Sequence, residues 1–207
     1  MASSFMQNFG NPRGFWGKII VRLMNKGHGP LIRRVVEQLD LQTGDEVLDI
    51  GCGGGLAVSL MAGRGARVDG VDISPVSVKA SRDKNRAWIN QGRVAIAQSG
   101  VDELDFAPGR FSVVTAFETI YFWENFAHNC KSIFDFLKPG GRFVIALEAY
   151  LEDGKKVNIP AIFNSMEMRL YSREELEGLL ENAGFSVSAM QPGCKRPSLC
   201  LVGQKAA

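Results

Sequence analysis

From Asp45 onward, short apolar runs of β-type residues alternate with segments of helical periodicity. This alternation is typical of repeated βα units, in which helices cover both faces of a parallel sheet. The runs are almost continuously apolar, as expected for strands that are buried on both faces. Five strands are therefore predicted, at 46–50, 67–71, 93–97, 112–117 and 142–147.

Two further segments predict helices that pack on this sheet. Residues 124–137 carry apolar side chains at helical spacing and stop at a Pro-Gly-Gly turn, 139–141. Ser172 and Glu175 have the spacing of a capping box, and Gly184 lies where a glycine ends a helix.

The last two β-type runs, 185–190 and 198–202, are joined by a connection too short for a helical crossover, so we expect an antiparallel pair. The predicted fold is an α/β, doubly wound sheet of about seven strands, mostly parallel, with an antiparallel C-terminal hairpin. A length of 207 residues fits one domain. We expect this domain to occupy residues 30–207.

Composition argues against several kinds of partner. The formal net charge is only +2, and nucleic-acid-binding domains usually carry a strong basic stripe, so no nucleic-acid partner is expected. The four cysteines and two histidines lack zinc-type spacing, so no metal is expected. Neither a signal peptide nor a transmembrane run is recognisable, which predicts a cytoplasmic protein. The oligomeric state stays open.

Two segments lie outside the βα alternation. Residues 1–29 combine an apolar helical face with basic side chains. This pattern predicts either a helix packed over the mouth of the domain or a surface that contacts a membrane or a lipid-like substrate. Residues 148–171 form a long connection after the fifth strand. We expect 1–29 to act as a lid or cap and 148–171 to be a substrate lid.

The most informative local feature is a glycine loop that follows the first strand, at 47–55. Glycines let the backbone turn sharply and let a ligand approach the main chain. Leu56 stands where the dinucleotide pattern G-x-G-x-x-G requires its third glycine, and no P-loop lysine follows. The carboxylate of Asp49 would repel phosphates but suits a ligand with an ammonium group.

The spacing Asp49-x-Gly51-x-Gly53-x-Gly55 resembles the first motif of class I S-adenosylmethionine-dependent methyltransferases. The resemblance implies a Rossmann-like fold and S-adenosylmethionine as the cofactor. It further implies that Gly51, Cys52, Gly53 and the adjoining main chain hold the methionine part, with Asp49 beside them.

Asp72 ends the second predicted strand, at about the offset at which an acidic side chain accepts hydrogen bonds from ribose hydroxyls. An alternative role as a helix N-cap is better filled by Ser74, which precedes Pro75. Ile73 then lies where an apolar side chain would cover adenine.

The adenine end departs from the family pattern. Related proteins carry Gly-Asp-Ala after the third strand, and the aspartate receives the adenine amino group. The matching positions here are Ser99, Gly100 and Val101. We therefore expect adenine to bind main-chain groups around Gly100 and Val101, or the side chain of Ser99 or Asp102.

Candidate catalytic residues follow the fourth strand. Glu118 is expected either to orient the methionine ammonium or to act as a base, and Tyr121 to line the acceptor pocket. Phe117 is either a packing residue or part of the cofactor site. Family members that methylate exocyclic amino groups carry Asn/Asp-Pro-Pro-Tyr/Phe here, and this chain does not. His28, flanked by two glycines, is expected to touch cofactor or acceptor.

Methyl transfer from a sulfonium gains most from holding donor and acceptor in line. A general base is needed only when the acceptor keeps its proton until late. We predict transfer to a small, partly apolar molecule. A macromolecular acceptor and a non-catalytic S-adenosylmethionine-binding module remain alternatives, and the sequence leaves open whether oxygen, nitrogen, sulfur or carbon is methylated.

Overall fold

The computed structural model describes residues 28–158 and 168–207. Within these ranges, helices and strands alternate through the first half of the chain, as the sequence predicts. In chain order the elements are α1 (Gly29–Gln38), β1 (Glu46–Ile50), α2 (Leu56–Gly63), β2 (Arg67–Asp72), α3 (Pro75–Lys84), α4 (Arg86–Asn90), β3 (Val94–Gln98), β4 (Phe111–Phe117), α5 (Phe126–Phe136), β5 (Leu137–Leu147), β6 (Tyr150–Glu152), β7 (Lys155–Val157), α6 (Arg173–Asn182), β8 (Ser186–Ala189) and β9 (Leu199–Gln204).

Seven of these strands form one sheet in the order β3-β2-β1-β4-β5-β9-β8. Strands β1 to β5 pair in parallel, whereas β9 pairs antiparallel with both β5 and β8. This confirms the predicted Rossmann-like α/β sheet, mostly parallel with an antiparallel C-terminal hairpin. Because β1 and β4 are central neighbours, their carboxyl ends lie side by side at one edge of the sheet.

The central strands β1, β4 and β5 are buried on both faces, which explains their continuous apolar runs, whereas the edge strand β3 is exposed on one face, contrary to expectation. In β1, Val47 packs into the cluster formed with α1, α2 and α3, while the next residue, Leu48, packs into the cluster formed with α5 and α6. Both side chains are fully buried. Successive strand residues face opposite sides, so each contributes roughly 1.5–3 kcal/mol of burial to a different layer.

Two predicted element boundaries after β4 are wrong, the start of helix α5 and the start of strand β5. Helix α5 begins later than expected because the side chain of Asn125 caps it, accepting the amide of His128 at 3.2 Å. Strand β5 begins at Leu137, not at residue 142, because Leu137 pairs with Phe111. The predicted Pro-Gly-Gly turn is a local irregularity inside this strand, at which Gly140 adopts a φ of 74°.

Parts of both predicted lids fall outside the described ranges. Of the 1–29 segment, residues 1–27 are not described. Of the 148–171 segment, the first part forms the small β6–β7 hairpin, and residues 159–167 are not described. The hairpin is tied to the main domain where the amide of Leu151 donates to the carbonyl of Tyr171 at 2.8 Å. No helix in the described ranges is long and apolar enough to cross a membrane.

Candidate cofactor and acceptor site

The carboxyl ends of β1, β2, β3 and β4 open into one pocket, as expected where parallel strands end at a common edge. All ten residues predicted to bind the cofactor line this pocket, together with two of the three predicted catalytic residues. These twelve residues are Asp49, Gly51, Cys52, Gly53, Asp72, Ile73, Ser99, Gly100, Val101, Phe117, Glu118 and His28.

The glycines of the loop serve different purposes. A Cβ atom on Gly51 would lie 2.2 Å from Oγ1 of Thr119, and one on Gly55 would lie 2.4 Å from Nδ2 of Asn85, so both positions are closed by protein. A Cβ atom on Gly53 would meet nothing closer than 4.0 Å. Gly53, with a φ of 51°, therefore presents bare backbone to the open pocket, where a ligand can approach it.

Asp72 links this loop to the next helix. Its Oδ2 accepts the amide of Gly53, and its Oδ1 accepts the amide of Ser74, each at 2.8 Å. Ser74 itself caps α3 by accepting the amide of Ser77, as predicted. The carboxylate keeps further lone pairs for ribose hydroxyls. Beside it, Ile73 is 52% exposed in the pocket wall, which leaves an apolar surface for adenine.

Asp49 is buried beneath the loop. Its Oδ1 accepts the hydroxyl of Thr115 at 2.7 Å, whereas Oδ2 has no hydrogen-bond partner within the described residues. Burial raises the pKa of Asp49 to about 7, although the bond from Thr115 lowers it. An unpartnered buried oxygen is costly, and an ammonium group in the pocket would satisfy it. The methionine end of S-adenosylmethionine therefore fits this position.

At the adenine end, internal hydrogen bonds already use part of the predicted surface. The hydroxyl of Ser99 donates to the carbonyl of Gly100 at 3.0 Å, and the amide of Gly100 donates to Glu103 at 3.1 Å. Of the residues proposed from the sequence, Val101 and Asp102 also line the pocket.

Glu118 lies where β4 ends, with a left-handed φ of 55°. Its Oε1 accepts the amide of Glu148, and its Oε2 accepts the hydroxyl of Tyr121 at 3.0 Å. Burial raises the pKa of Glu118 to about 7, although the charge of His28 and these bonds lower it. The carboxyl group is thus held rigidly at the pocket wall.

Contrary to expectation, Tyr121 does not belong to the pocket wall that the described residues form. Tyr121 is only 3% exposed and packs in the core, because the turn Ile120–Phe122 that follows β4 carries it inward. Its hydroxyl instead positions Glu118 and accepts the amide of Ala149 at 3.3 Å. The aromatic residues that do line the pocket beside Phe117 are Phe122 and Trp123.

Sequence reasoning missed Glu148. Nδ1 of His28 lies 3.0 Å from Oε2 of this residue and 3.9 Å from Oε2 of Glu118. Glu148 directly follows β5, the neighbour of β4, so an acidic residue at that strand end was a usable signal. Burial lowers the pKa of His28, but the two carboxylates outweigh it and the pKa is raised.

His28, Glu118 and Glu148 offer ligand atoms that all lie within 4.8 Å of one another. Such spacing could suit a cation, but both oxygens of Glu118 already accept hydrogen bonds and Glu148 is bonded directly to the imidazole. The cluster is therefore complete as a hydrogen-bonded unit. That the chain binds no metal stays a prediction.

Comparison with known proteins decides the family. Residues 24–189, most of the chain, match the methyltransferase-domain family. The chain belongs to the class I S-adenosylmethionine-dependent methyltransferases. The cofactor of this methyltransferase is accordingly S-adenosylmethionine, in agreement with the open backbone at Gly53 and the unpartnered oxygen of Asp49.

Curated relatives of this methyltransferase include O-methyltransferases. It is 30% identical over 131 residues to a mitochondrial ubiquinone biosynthesis O-methyltransferase of Schizosaccharomyces pombe, covering 63% of this chain and 47% of the relative. It is 28% identical over 176 residues to the O-methyltransferase cnsE of Penicillium expansum, covering 80% of this chain and 63% of the relative. The chain thus spans between about half and two thirds of these relatives.

Solved structures share the fold of the methyltransferase. One is an S-adenosylmethionine-dependent methyltransferase from Mesorhizobium loti, with a TM-score of 0.67 and 16% identity over 86% of this chain and 97% of that one. Another is an N-methyltransferase from Haemonchus contortus, solved with phosphomonomethylethanolamine and S-adenosylhomocysteine. It has a TM-score of 0.76 and 16% identity over 98% of this chain and 61% of that one.

Proposed function

We propose that this methyltransferase transfers a methyl group from S-adenosylmethionine to a hydroxyl oxygen of a small, partly apolar molecule. The observation that carries the proposal is the makeup of the pocket. It runs from the glycine loop to a wall with two aromatic side chains, Phe122 and Trp123, and two titratable ones, His28 and Glu118. The two O-methyltransferases named among the relatives support oxygen as the acceptor atom.

On this proposal four of the cofactor-binding residues have defined tasks. Asp49 receives the methionine ammonium, and Gly53 lets the methionine part lie against the main chain. Asp72 accepts hydrogen bonds from the ribose hydroxyls, and Ile73 covers the adenine ring. When bound, the cofactor supplies an electrophilic methyl group, and the protein holds the acceptor in line with it.

The acceptor is expected to combine an apolar body with one nucleophilic group. Phe122 and Trp123 offer an aromatic surface for the body, while His28 and Glu118 meet the polar group. Pockets that bind small molecules commonly have this composition, with a few polar groups that fix orientation.

The segments 1–29 and 148–171 are proposed as lids that exclude water from the acceptor. Removal of residues 1–27 is expected to spare cofactor binding and to abolish methyl transfer, because the acceptor would then lie open to solvent. Cofactor binding is measured by calorimetry, and methyl transfer by the labelled methyl group that passes from S-adenosylmethionine to the acceptor. Unchanged transfer by the shortened protein would rule out the lid.

Three matched acceptors test the proposed chemistry: 4-hexylcatechol, 4-hexylaniline and 4-hexylthiophenol, each with methyl-labelled S-adenosylmethionine. They share the hexylphenyl body and differ in the nucleophilic atom, and the catechol carries a second hydroxyl group. We expect label on the catechol alone. Preference for the aniline or the thiophenol, or no transfer to any of the three while labelled methyl enters a protein or nucleic acid, would contradict the proposal. Cofactor binding without any transfer would favour a non-catalytic binding module.

A further inference from the structure

We propose that His28 is the general base of the methyl transfer and that Glu148 positions it. The inference rests on the proposed function, since it concerns an acceptor hydroxyl at the same pocket. The sequence motifs assign no role to Glu148, and His28 precedes the whole βα core.

The hydrogen bond between His28 and Glu148 fixes the state of the imidazole. A carboxylate can only accept, so the 3.0 Å contact places the proton of a neutral His28 on Nδ1. Nε2 then carries the free lone pair. His28 lines the pocket, and no described residue hydrogen-bonds Nε2, so this nitrogen is the one left for an acceptor proton.

Glu148 is itself held in place. It is only 8% exposed, its main-chain amide donates to Glu118, and Nη1 of Arg196 lies 3.8 Å from its Oε2. Glu118 is in turn fixed by the hydroxyl of Tyr121. A base oriented by a third, rigidly held group is the arrangement that activates nucleophiles in enzymes.

The proton-transfer step balances without any further reactant. The acceptor oxygen forms its bond to the methyl carbon as the carbon–sulfur bond breaks, and the hydroxyl proton passes to Nε2 of His28. The electron pair of the broken bond stays on sulfur, which becomes a neutral thioether. The imidazolium formed on His28 lies beside Glu148 and Glu118, whose negative charge favours it, and it later releases its proton to water.

The charges around His28 set the expected pH dependence. Glu148 and Glu118 raise its pKa, while burial and the positive charge of Arg196 lower it, and the net pKa is raised above 6.5. A protonated His28 cannot accept a proton. Activity on a neutral hydroxyl should therefore be lost as the pH falls through the raised pKa of His28.

The test uses the full chain and two catechols. In 4-hexylcatechol the hydroxyl keeps its proton at neutral pH, whereas the nitro group of 4-hexyl-5-nitrocatechol lets its hydroxyl ionise without help. His28→Ala should lower kcat/KM on the first by about 100-fold or more and on the second only slightly, because an ionised acceptor needs no base. His128→Ala, on the exposed surface of α5, is the matched control and should leave both rates unchanged.

The role of Glu148 is read from the pH profile. Glu148→Gln should move the acidic limb of kcat/KM on 4-hexylcatechol to lower pH, because it removes a charge that raises the pKa of His28. A merely structural role would lower the rate without moving the limb. Calorimetry of S-adenosylhomocysteine binding to each variant shows that the fold and the cofactor site survive.

Four outcomes would overturn the inference. Equal loss on both catechols in His28→Ala would show that His28 does not take a proton. Loss of wild-type activity in EDTA, restored by Mg²⁺ or Zn²⁺, would make the cluster a metal site. If the wild type methylates 4-hexylaniline or 4-hexylthiophenol but neither catechol, or none of these probes, the proposed function itself fails. Normal catechol turnover by His28→Ala would show that His28 is not the general base, and the proposed function would still stand.

Discussion

Oδ2 of Asp72 accepts the main-chain amide of Gly53 at 2.8 Å, so the end of β2 and the glycine loop form one rigid unit. We propose two tasks for this acidic residue: its carboxylate binds ribose, and it also holds the backbone against which the methionine part of the cofactor lies. Burial raises the pKa of Asp72, and the amides of Ser74 and Gly53 lower it.

Asp72→Ala tests whether this carboxylate contributes to cofactor binding. Removal of the carboxylate should weaken S-adenosylhomocysteine binding by about 1–3 kcal/mol, the cost of unpaired hydroxyl and amide groups. Asp135→Ala, at an exposed position of α5, is the control and should bind normally. Calorimetry of both variants measures the effect. Equal affinities would remove Asp72 from the site.

Gly53→Ala separates ligand contact from backbone strain. Alanine at a positive φ costs roughly 1–2 kcal/mol of stability wherever it occurs. Gly109→Ala is the matched control, because Gly109 has a φ of 67° with open space around its Cβ position and lies before β4, at the far end of the sheet. Both variants should lose similar stability in chemical denaturation.

Only Gly53→Ala should lose cofactor affinity, by about tenfold or more, since its new methyl group would stand in the ligand's place. If the two glycine variants bind S-adenosylhomocysteine equally well, the loop does not contact the methionine part.

The buried carboxyl of Asp49 predicts a dependence of stability on pH. Its pKa is raised from 3.8 to about 7 on folding, so the folded state holds the proton more tightly than the unfolded state does. Its contribution to the free energy of unfolding is therefore full below pH 3.8 and is lost as the pH rises to about 7. Asp49→Asn should flatten this part of the profile.

The same variant should raise stability at pH 8 and weaken cofactor binding, because a neutral amide costs less to bury but does not attract an ammonium group. Urea denaturation at pH 4, 6 and 8 and calorimetry at pH 8 provide the two readouts. A pH profile identical to that of the wild type would show that Asp49 does not titrate in this range.

The fold and the cofactor side of the site could be predicted from the sequence because their signals are local. Each signal lies within a few residues of sequence: a continuous apolar strand, a glycine spacing, and an acidic residue at the end of the next strand. Asp49, Gly53 and Asp72 then meet because parallel strands end at one edge.

The acceptor side of the site depends on contacts between residues that are far apart in the sequence, and local sequence patterns do not contain such contacts. Glu148 meets His28 across 120 positions of the chain, so no local pattern joins the two residues. The inward turn of Tyr121 likewise follows from the packing of the Ile120–Phe122 turn, which a list of residues after a strand does not reveal. Strand β5 begins earlier than predicted for the same reason, since Leu137 pairs with Phe111 on β4.

The most direct test of the account is a calorimetric titration of the full chain with S-adenosylmethionine, S-adenosylhomocysteine and NAD under the same conditions. We expect saturable one-to-one binding of the two adenosyl sulfur ligands and no heat from NAD, because Asp49 attracts an ammonium and repels phosphate. Binding of NAD, or silence from both adenosyl ligands, would contradict the assignment of the glycine loop as the cofactor site.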